Sequence, residues 1–158
     1  MRSKTFYTDG SCKANGNPNS KGGFGVVGIW EENKEIWYEY QEFKSPTTNN
    51  EMELMAILHT LKYIKEKEIF FPRPIIYTDS AYCYNIINNW MYSWERNGWV
   101  RPKNQEIKNL NIIKEIFELA SLAQIKKVSG HSGIIGNELA DKLATGERTA
   151  NSFLEGDI

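Results

Sequence analysis

Two short segments of this chain end alike, and that likeness limits what it can fold into. Lys4-Thr5-Phe6-Tyr7-Thr8-Asp9-Gly10-Ser11 and Ile75-Ile76-Tyr77-Thr78-Asp79-Ser80 are both apolar, aromatic and β-branched runs that close on Tyr-Thr-Asp, a composition that favours strands. In the first run Phe6 and Thr8 fall on one face and Thr5, Tyr7 and Asp9 on the other, so Asp9 extends a half-apolar face. Taken alone, Asp9-Gly10 reads as a turn that ends the strand. If the two strands lie side by side, however, two carboxylates meet at one end of one sheet. Like charges so placed call for a cation between them.

The elements between these runs define the sheet. The loop over 13–23 is rich in glycine and asparagine. It is either a flexible hairpin connection or a set of backbone and amide groups facing a phosphate. Residues 24–30 and 34–43 read as two further strands, which gives an antiparallel three-strand meander. Thr48 and Glu51 are spaced as a capping box after Pro46. The helix they open carries Leu54, Ile57, Leu58, Leu61 and Ile64 as a core stripe, with Glu53 at its margin. A first-turn glutamate is also what a helix dipole favours. Ser80 is placed to cap a helix over 81–89, and Trp90 and Trp94 follow four residues apart, which stacks them on one helical face. Such an indole cluster either packs a core or lines a site. A long amphipathic helix is expected over 104–122, a last strand over 124–128, and a final helix over 138–145 with Asn137 as its N-cap. Asp141 lies in that last helix.

The order of elements predicts an α/β fold: a five-stranded mixed sheet, with the antiparallel meander joined to parallel strands by helical crossovers, and helices on both faces. Ligands of such sheets bind outside the carboxyl ends of the central strands, where Asp9 and Asp79 end. A chain of 158 residues suffices for one domain. We place that domain at 1–146 and expect a frayed polar tail over 147–158. The net charge of −1 excludes attraction to nucleic acid by total charge, but not by a local patch. Cys12 and Cys83 make neither a metal spacing nor a disulfide framework, so a reducing compartment, the cytoplasm, is expected. No stretch approaches the ~18 apolar residues of a membrane span, and Met1-Arg2-Ser3 leads into a strand with no apolar signal region.

Four motifs occur in order: Tyr-Thr-Asp-Gly-Ser at 7–11, Thr-Asn-Asn-Glu-Met-Glu-Leu-Met-Ala at 48–56, Tyr-Thr-Asp-Ser at 77–80, and Gly-His-Ser-Gly through Asn-Glu-Leu-Ala-Asp at 130–141. Together they resemble type I ribonuclease H, over nearly the whole chain to about residue 146. The resemblance implies an endonuclease that hydrolyses the RNA strand of RNA·DNA hybrids, leaving 5′-phosphate and 3′-hydroxyl ends. It makes Asp9, Glu53, Asp79 and Asp141 the metal-binding carboxylates and His131 an auxiliary catalytic histidine. Two Mg²⁺ ions, or Mn²⁺ in their place, are the implied cofactors. A pair of metals ~3.5–4 Å apart supplies both a nucleophile at neutral pH and a stabilised leaving oxygen.

For the substrate, the resemblance matches Asn49 and Glu53 to the RNA sugar. Thr48, Asn50 and one of Asn15 or Asn17 match a pocket for a DNA-strand phosphate, and the Gly-Asn-Pro context favours Asn17. Trp90, Trp94 and Trp99 match residues that line or support the DNA channel, and Asn85 and Arg96 join the substrate set. The segment 95–103 lacks the dense lysine run of strongly binding relatives, and Ala81 replaces a glutamine usual after the Asp-Ser pair. A monomer without membrane attachment is expected. The alternatives are a non-catalytic hybrid-binding module, whose sign would be a lost metal acid, and a DNA nuclease on the same fold.

Overall fold

The computed structural model describes residues 2–130 and 133–152. β1 (Lys4–Lys13), β2 (Lys21–Trp30) and β3 (Ile36–Lys44) form the antiparallel meander. The α1 helix (Asn49–Glu66) crosses to β4 (Ile75–Thr78), which lies parallel to β1 in the register Tyr7 to Tyr77 and Thr8 to Thr78. A helical stretch of three parts follows: α2 (Ala81–Asn85), a π turn (Ile86–Trp90) and α3 (Met91–Arg96). α4 (Leu110–Leu119) returns the chain to β5 (Gln124–Lys127), parallel to β4, and α5 (Ile135–Thr145) closes the fold. The sheet order is β3-β2-β1-β4-β5, the expected five-stranded mixed sheet.

Each face of the sheet is covered by helix. Phe6, Phe24, Val26, Trp37 and Ile76 pack with Leu54, Ile57, Leu61 and Ile64 of α1 in the larger core. Val27 and Ile29 pack with Ala140 and Leu143 of α5 on the other side. Thr48 caps α1 as the capping box predicts, its side chain accepting from the Glu51 amide at 3.1 Å. Glu51 does not complete the box. Its carboxylate takes the Thr47 hydroxyl at 2.5 Å and the Lys44 ammonium at 2.8 Å instead.

Three expectations are corrected. The helix over 104–122 begins only at Leu110, because Lys103, Asn104 and Asn109 hold positive φ, and asparagine tolerates that conformation better than most residues. Ile107 is buried outside the helix, which is why the apolar spacing runs on past its start. The last helix begins at Ile135, after a left-handed Gly133 (φ 82°), so Asn137 is a buried helical residue and not the N-cap. The tail is pinned as far as it is described: Gln41 donates to the Leu143 and Arg148 carbonyls, both at 2.9 Å, and accepts from the Ala150 amide at 2.7 Å. Arg148 pairs with the buried Glu39 at 2.5 Å, and the Asn151 amide donates to the same carboxylate at 3.2 Å. Among the described residues no helix is long and apolar enough to cross a membrane.

Candidate active site

The parallel register of β1 and β4 brings the two Tyr-Thr-Asp ends side by side. Tyr7 and Tyr77 stack at 5.0 Å, and the threonines that follow are paired. Asp79 sits in the bend between β4 and α2. There the Ser80 amide donates to the Thr78 hydroxyl at 3.1 Å, and the Ser80 hydroxyl accepts from the Cys83 amide at 3.1 Å. The two ends of that bend are therefore held, and Asp79 between them sits at the end of the sheet beyond β4.

Glu53 comes from α1. A side chain at position 10 would keep it away, because a Cβ on Gly10 would collide with the backbone of Met52 and Glu53. With glycine there, the Gly10 amide donates both to Asp9, at 2.9 Å, and to Glu53. Asp9, Glu53 and Asp79 each place one carboxylate oxygen within 4.8 Å of the others. Asp9 and Glu53 are each only 7% exposed. The fourth acid, Asp141 on α5, stands outside that trio but lines a pocket of about 320 Å³ with Asp9, Asp79, Asn137, Glu138 and Lys142. His131 falls outside the described residues.

The electrostatics of the cluster follow from burial of like charges. Burial pushes the Asp9 carboxyl up to about 7; hydrogen bonding with Glu53 opposes this, while the charges of Asp79 and Asp141 add to it. Glu53 is raised well above the ordinary glutamate range, first by burial and then by Asp9. A bound divalent cation would relieve both causes at once. Hard oxygen donors converging at one point suit such an ion. The donor set therefore fits a metal.

Beside the acids, a groove of about 800 Å³ is lined by Asn15, Gly16, Thr48, Asn49, Asn50, Tyr82, Trp90, Trp94, Arg101, Ile107, Lys108 and Asn109. Six of the residues matched to substrate meet there: Asn15, Thr48, Asn49, Asn50, Trp90 and Trp94. Asn15, not Asn17, faces the groove, its side-chain oxygen accepting from the Asn49 amide at 3.0 Å. Asn17 caps its own loop by accepting from the Asn19 amide at 2.9 Å, so the Gly-Asn-Pro context marks a turn. Trp90, 41% exposed, and Trp94 form a tilted pair at 6.3 Å. Trp99 packs edge-on against Phe117 at 5.4 Å and supports rather than lines. Asn85 and Arg96 do not line the groove. Arg101, Lys108 and Tyr82 do; the two basic residues were legible only as part of the local positive excess over 95–108, and nothing in the sequence marked Tyr82.

A mixed sheet with acids from β1, the end of β4 and two helices gathered at one place is the arrangement expected of a ribonuclease H. Residues 1–149 match the model of the RNase H family, and the chain belongs to that family. It is 38% identical over 156 residues to a ribonuclease H of Acetivibrio thermocellus, covering 96% of this chain and 99% of that one. Its fold is similar to that of LC9-RNase H1, a type 1 RNase H with the type 2 active-site motif (TM-score 0.79, 28% identity, 96% of this chain and 75% of that one). It is also similar to part of the foamy viral protease-reverse transcriptase in complex with RNA/DNA hybrid (TM-score 0.77, 28% identity, 92% of this chain and 20% of that one).

Proposed function

We propose that this ribonuclease H cuts the RNA strand of RNA·DNA hybrids internally, leaving 5′-phosphate and 3′-hydroxyl ends, with two Mg²⁺ ions held by Asp9, Glu53, Asp79 and Asp141. The observation that carries this reading is the convergence of Asp9, Glu53 and Asp79 beside a groove of amides and indoles. Divalent cations supply a nucleophile at neutral pH and charge stabilisation at the leaving oxygen. Asp9, which interacts with Glu53, Asp79 and Asp141, would contribute to holding both ions; Mn²⁺ would be accommodated by the same oxygen donors. Thr48, Asn49 and Asn50 open the helix that carries Glu53 one turn later, so a strand gripped by these groups is held in register with the acids. Asn15 takes the phosphate role proposed for the first loop, and Trp90 and Trp94 offer apolar faces to a deoxyribose strand. His131 assists proton transfer or product release.

Asn49 and Glu53 are the groups we assign to the RNA 2′-hydroxyl, the feature that separates RNA from DNA. We take the protein to act as a cytoplasmic monomer. Digestion of matched RNA·DNA hybrid, duplex DNA and duplex RNA in Mg²⁺ tests the proposal. Cleavage confined to the RNA strand of the hybrid is expected. Cleavage of duplex DNA, or binding of hybrid without cleavage, would overturn it. Asn15→Ala should raise KM several-fold while Asn17→Ala leaves it unchanged.

A further inference from the structure

Where the meander ends, a further pocket of about 450 Å³ is lined by residues that include Ser11, Lys13, Lys21, Gly23, Phe43 and Thr145. None of its lining residues is acidic. Lys13 and Lys21 are direct partners across β1 and β2, and like charges set opposite one another in a ladder are destabilising. Both are exposed, and neither forms an ion pair among the described residues, whereas Lys44 at the same pocket is taken by Glu51 at 2.8 Å. The C-terminal end of α5 lies beside them, and a helix end of that sign favours cations. The Lys142 and Leu143 carbonyls there are already met, the first by the Arg148 amide at 3.1 Å and the Thr145 hydroxyl at 3.2 Å, the second by Gln41 at 2.9 Å and the Gly146 amide at 3.3 Å. The helix end therefore leaves the lysines little to complement, and an anion from outside would relieve their repulsion.

The pair is also aligned with the acids. Asp9, Ser11 and Lys13 alternate along β1 and so share one face of the sheet. That face carries α5, because a Cβ on Gly23, the partner of Ser11, would meet the Ala144 carbonyl. At ~3.4 Å per residue, Lys13 lies about 13 Å along the strand from Asp9, which is a few nucleotides of a nucleic-acid strand at ~3.4 Å of axis each. Phe43, 56% exposed, stands opposite Gly23 and adds a flat apolar surface beside the cations. The groove of amides and indoles opens at the start of α1, this pocket opens at the end of α5, and the acids lie between the two helices. A duplex with one strand in the groove and the other over the acids carries that second strand toward the lysines.

We propose that Lys13 and Lys21 bind backbone phosphates of the scissile strand a few nucleotides from the cut, with Phe43 packed against its sugars. The inference rests on the hybrid-cutting reading and adds to it a second anion site, separate from the groove that takes the other strand. Neither lysine touches the reacting atoms. Their contacts are the same before and during the chemical step, so they lower KM and leave kcat alone.

The test uses the full chain and a duplex whose scissile strand holds a short block of ribonucleotides between deoxyribonucleotides, so that the place of the cut is fixed. Lys13→Gln combined with Lys21→Gln should raise KM several-fold at unchanged kcat. On the cleavage-dead Asp9→Asn background the same pair should flatten the slope of log affinity against log salt by about 2, since each phosphate contact contributes ~0.9. Uncharged methylphosphonate linkages in one flank of the scissile strand should weaken binding by the parent and affect the lysine variant far less, while the same linkages in the other strand should weaken both alike. The lysine variant should melt at or above the wild type, because a like-charged cross-strand pair is removed. Unchanged KM and salt slope would overturn the inference. So would a lysine variant as sensitive as its parent to neutral scissile-strand linkages, or one that melts below the wild type, which would give the lysines to the fold. If the wild-type protein cuts no hybrid, the proposed function itself fails; if it cuts hybrid and the lysine variant matches it throughout, only this inference does.

Discussion

Asp9→Asn should make the metal-free protein more stable and, in the same stroke, inactive. The folded protein keeps a proton on Asp9 up to about pH 7, whereas the unfolded chain releases it near the ordinary 3.8. Across that window the folded state binds more protons, so wild-type stability falls as pH rises through it. Each pH unit is worth about 1.4 kcal/mol, and the whole interval from 3.8 to about 7 amounts to about 4 kcal/mol. Asparagine has the shape of the protonated acid and can still accept from the Gly10 amide, which lies 2.9 Å from the Asp9 oxygen, but it has no charge to bury. The variant's advantage should therefore be small near pH 4, grow to about pH 7, and stay level above. Because Asp9 and Glu53 are within hydrogen-bonding reach, the proton belongs to the pair, and relieving one member also eases the other.

Between pH 5 and pH 8 the advantage should widen by about 2–3 kcal/mol, or about 5–10 °C in Tm for a domain of this size. Thermal melts in chelator at four pH values provide the assay. A stability difference that does not change with pH, or a variant that melts below wild type at pH 8, would refute the buried-charge reasoning. Near-wild-type cleavage of hybrid by the variant in Mg²⁺ would refute the role of Asp9 as a metal ligand.

The remaining predictions concern the tail, a histidine and salt. Arg148→Ala leaves the buried Glu39 carboxylate without its cation and should cost about 3 kcal/mol in urea melts; a change below about 0.5 kcal/mol would show that the tail is ornamental. His59 is pushed down to about 4, chiefly by burial, against Tyr40 at 3.7 Å and with the Tyr38 hydroxyl at 2.7 Å. It stays neutral in the folded state while the unfolded chain protonates near 6.5, so it should remove up to about 3 kcal/mol as pH falls from 6.5 to 4. His59→Phe should abolish that part of the acid sensitivity, and an unchanged acid limb would disprove the assignment. The groove contributes two basic side chains, Arg101 and Lys108, and the neighbouring segment few more, so hybrid affinity should fall with log salt at a slope of about −2 to −4. A slope near −8, measured with a catalytically dead variant, would mean that the main basic surface lies elsewhere.

How much of this was legible in the sequence depends on how local the signal is. Asp79 was readable because it follows the short strand β4, and Asp9 because it closes the same Tyr-Thr-Asp run; β1 itself runs on to Lys13, so Asp9-Gly10 is not the turn that ends it. The match of Tyr7 to Tyr77 needs only parallel pairing to bring the two acids together. Glu53 was visible as a charge at the margin of an apolar stripe. What could not be read is the approach that makes it useful, since it depends on the missing side chain of Gly10 in another element. Asn137 was misread for a similar reason: asparagine before an apolar helix is an N-cap signal, and only the tertiary burial of the turn before it shows the helix starting at Ile135. The choice between Asn15 and Asn17 rested on turn chemistry, which identified the residue that closes the loop and not the one that reaches α1. The tail looked frayed because its partners, Glu39 and Gln41, lie more than a hundred residues away.

The site depends on bringing opposite layers of the molecule together. α1 and α5 lie on opposite faces of the sheet, and a layer of side chains normally holds such faces about 10 Å from what packs on them. Carboxylates carried by the two helices can share an ion only at the end of the sheet, and only if each helix sits unusually close to the strand backbone. Gly10 admits the first turn of α1. On the other face, a Cβ on Gly25 would meet the Ala140 carbonyl and Leu143, and one on Gly136 would meet the ring of Tyr7, so α5 lies directly on β1 and β2. Gly25 is the partner of Asp9 across β1 and β2, so the turn of α5 seated on it carries Asp141 next to Asp9. Close packing at these glycines and repulsion among the acids thus arise from one arrangement: the contacts that hold the helices down also force the charges together. The folding energy of both cores is what keeps the carboxylates within reach of one another before any cation arrives, and this is why removing a charge at the centre should stabilise the protein while removing its chemistry.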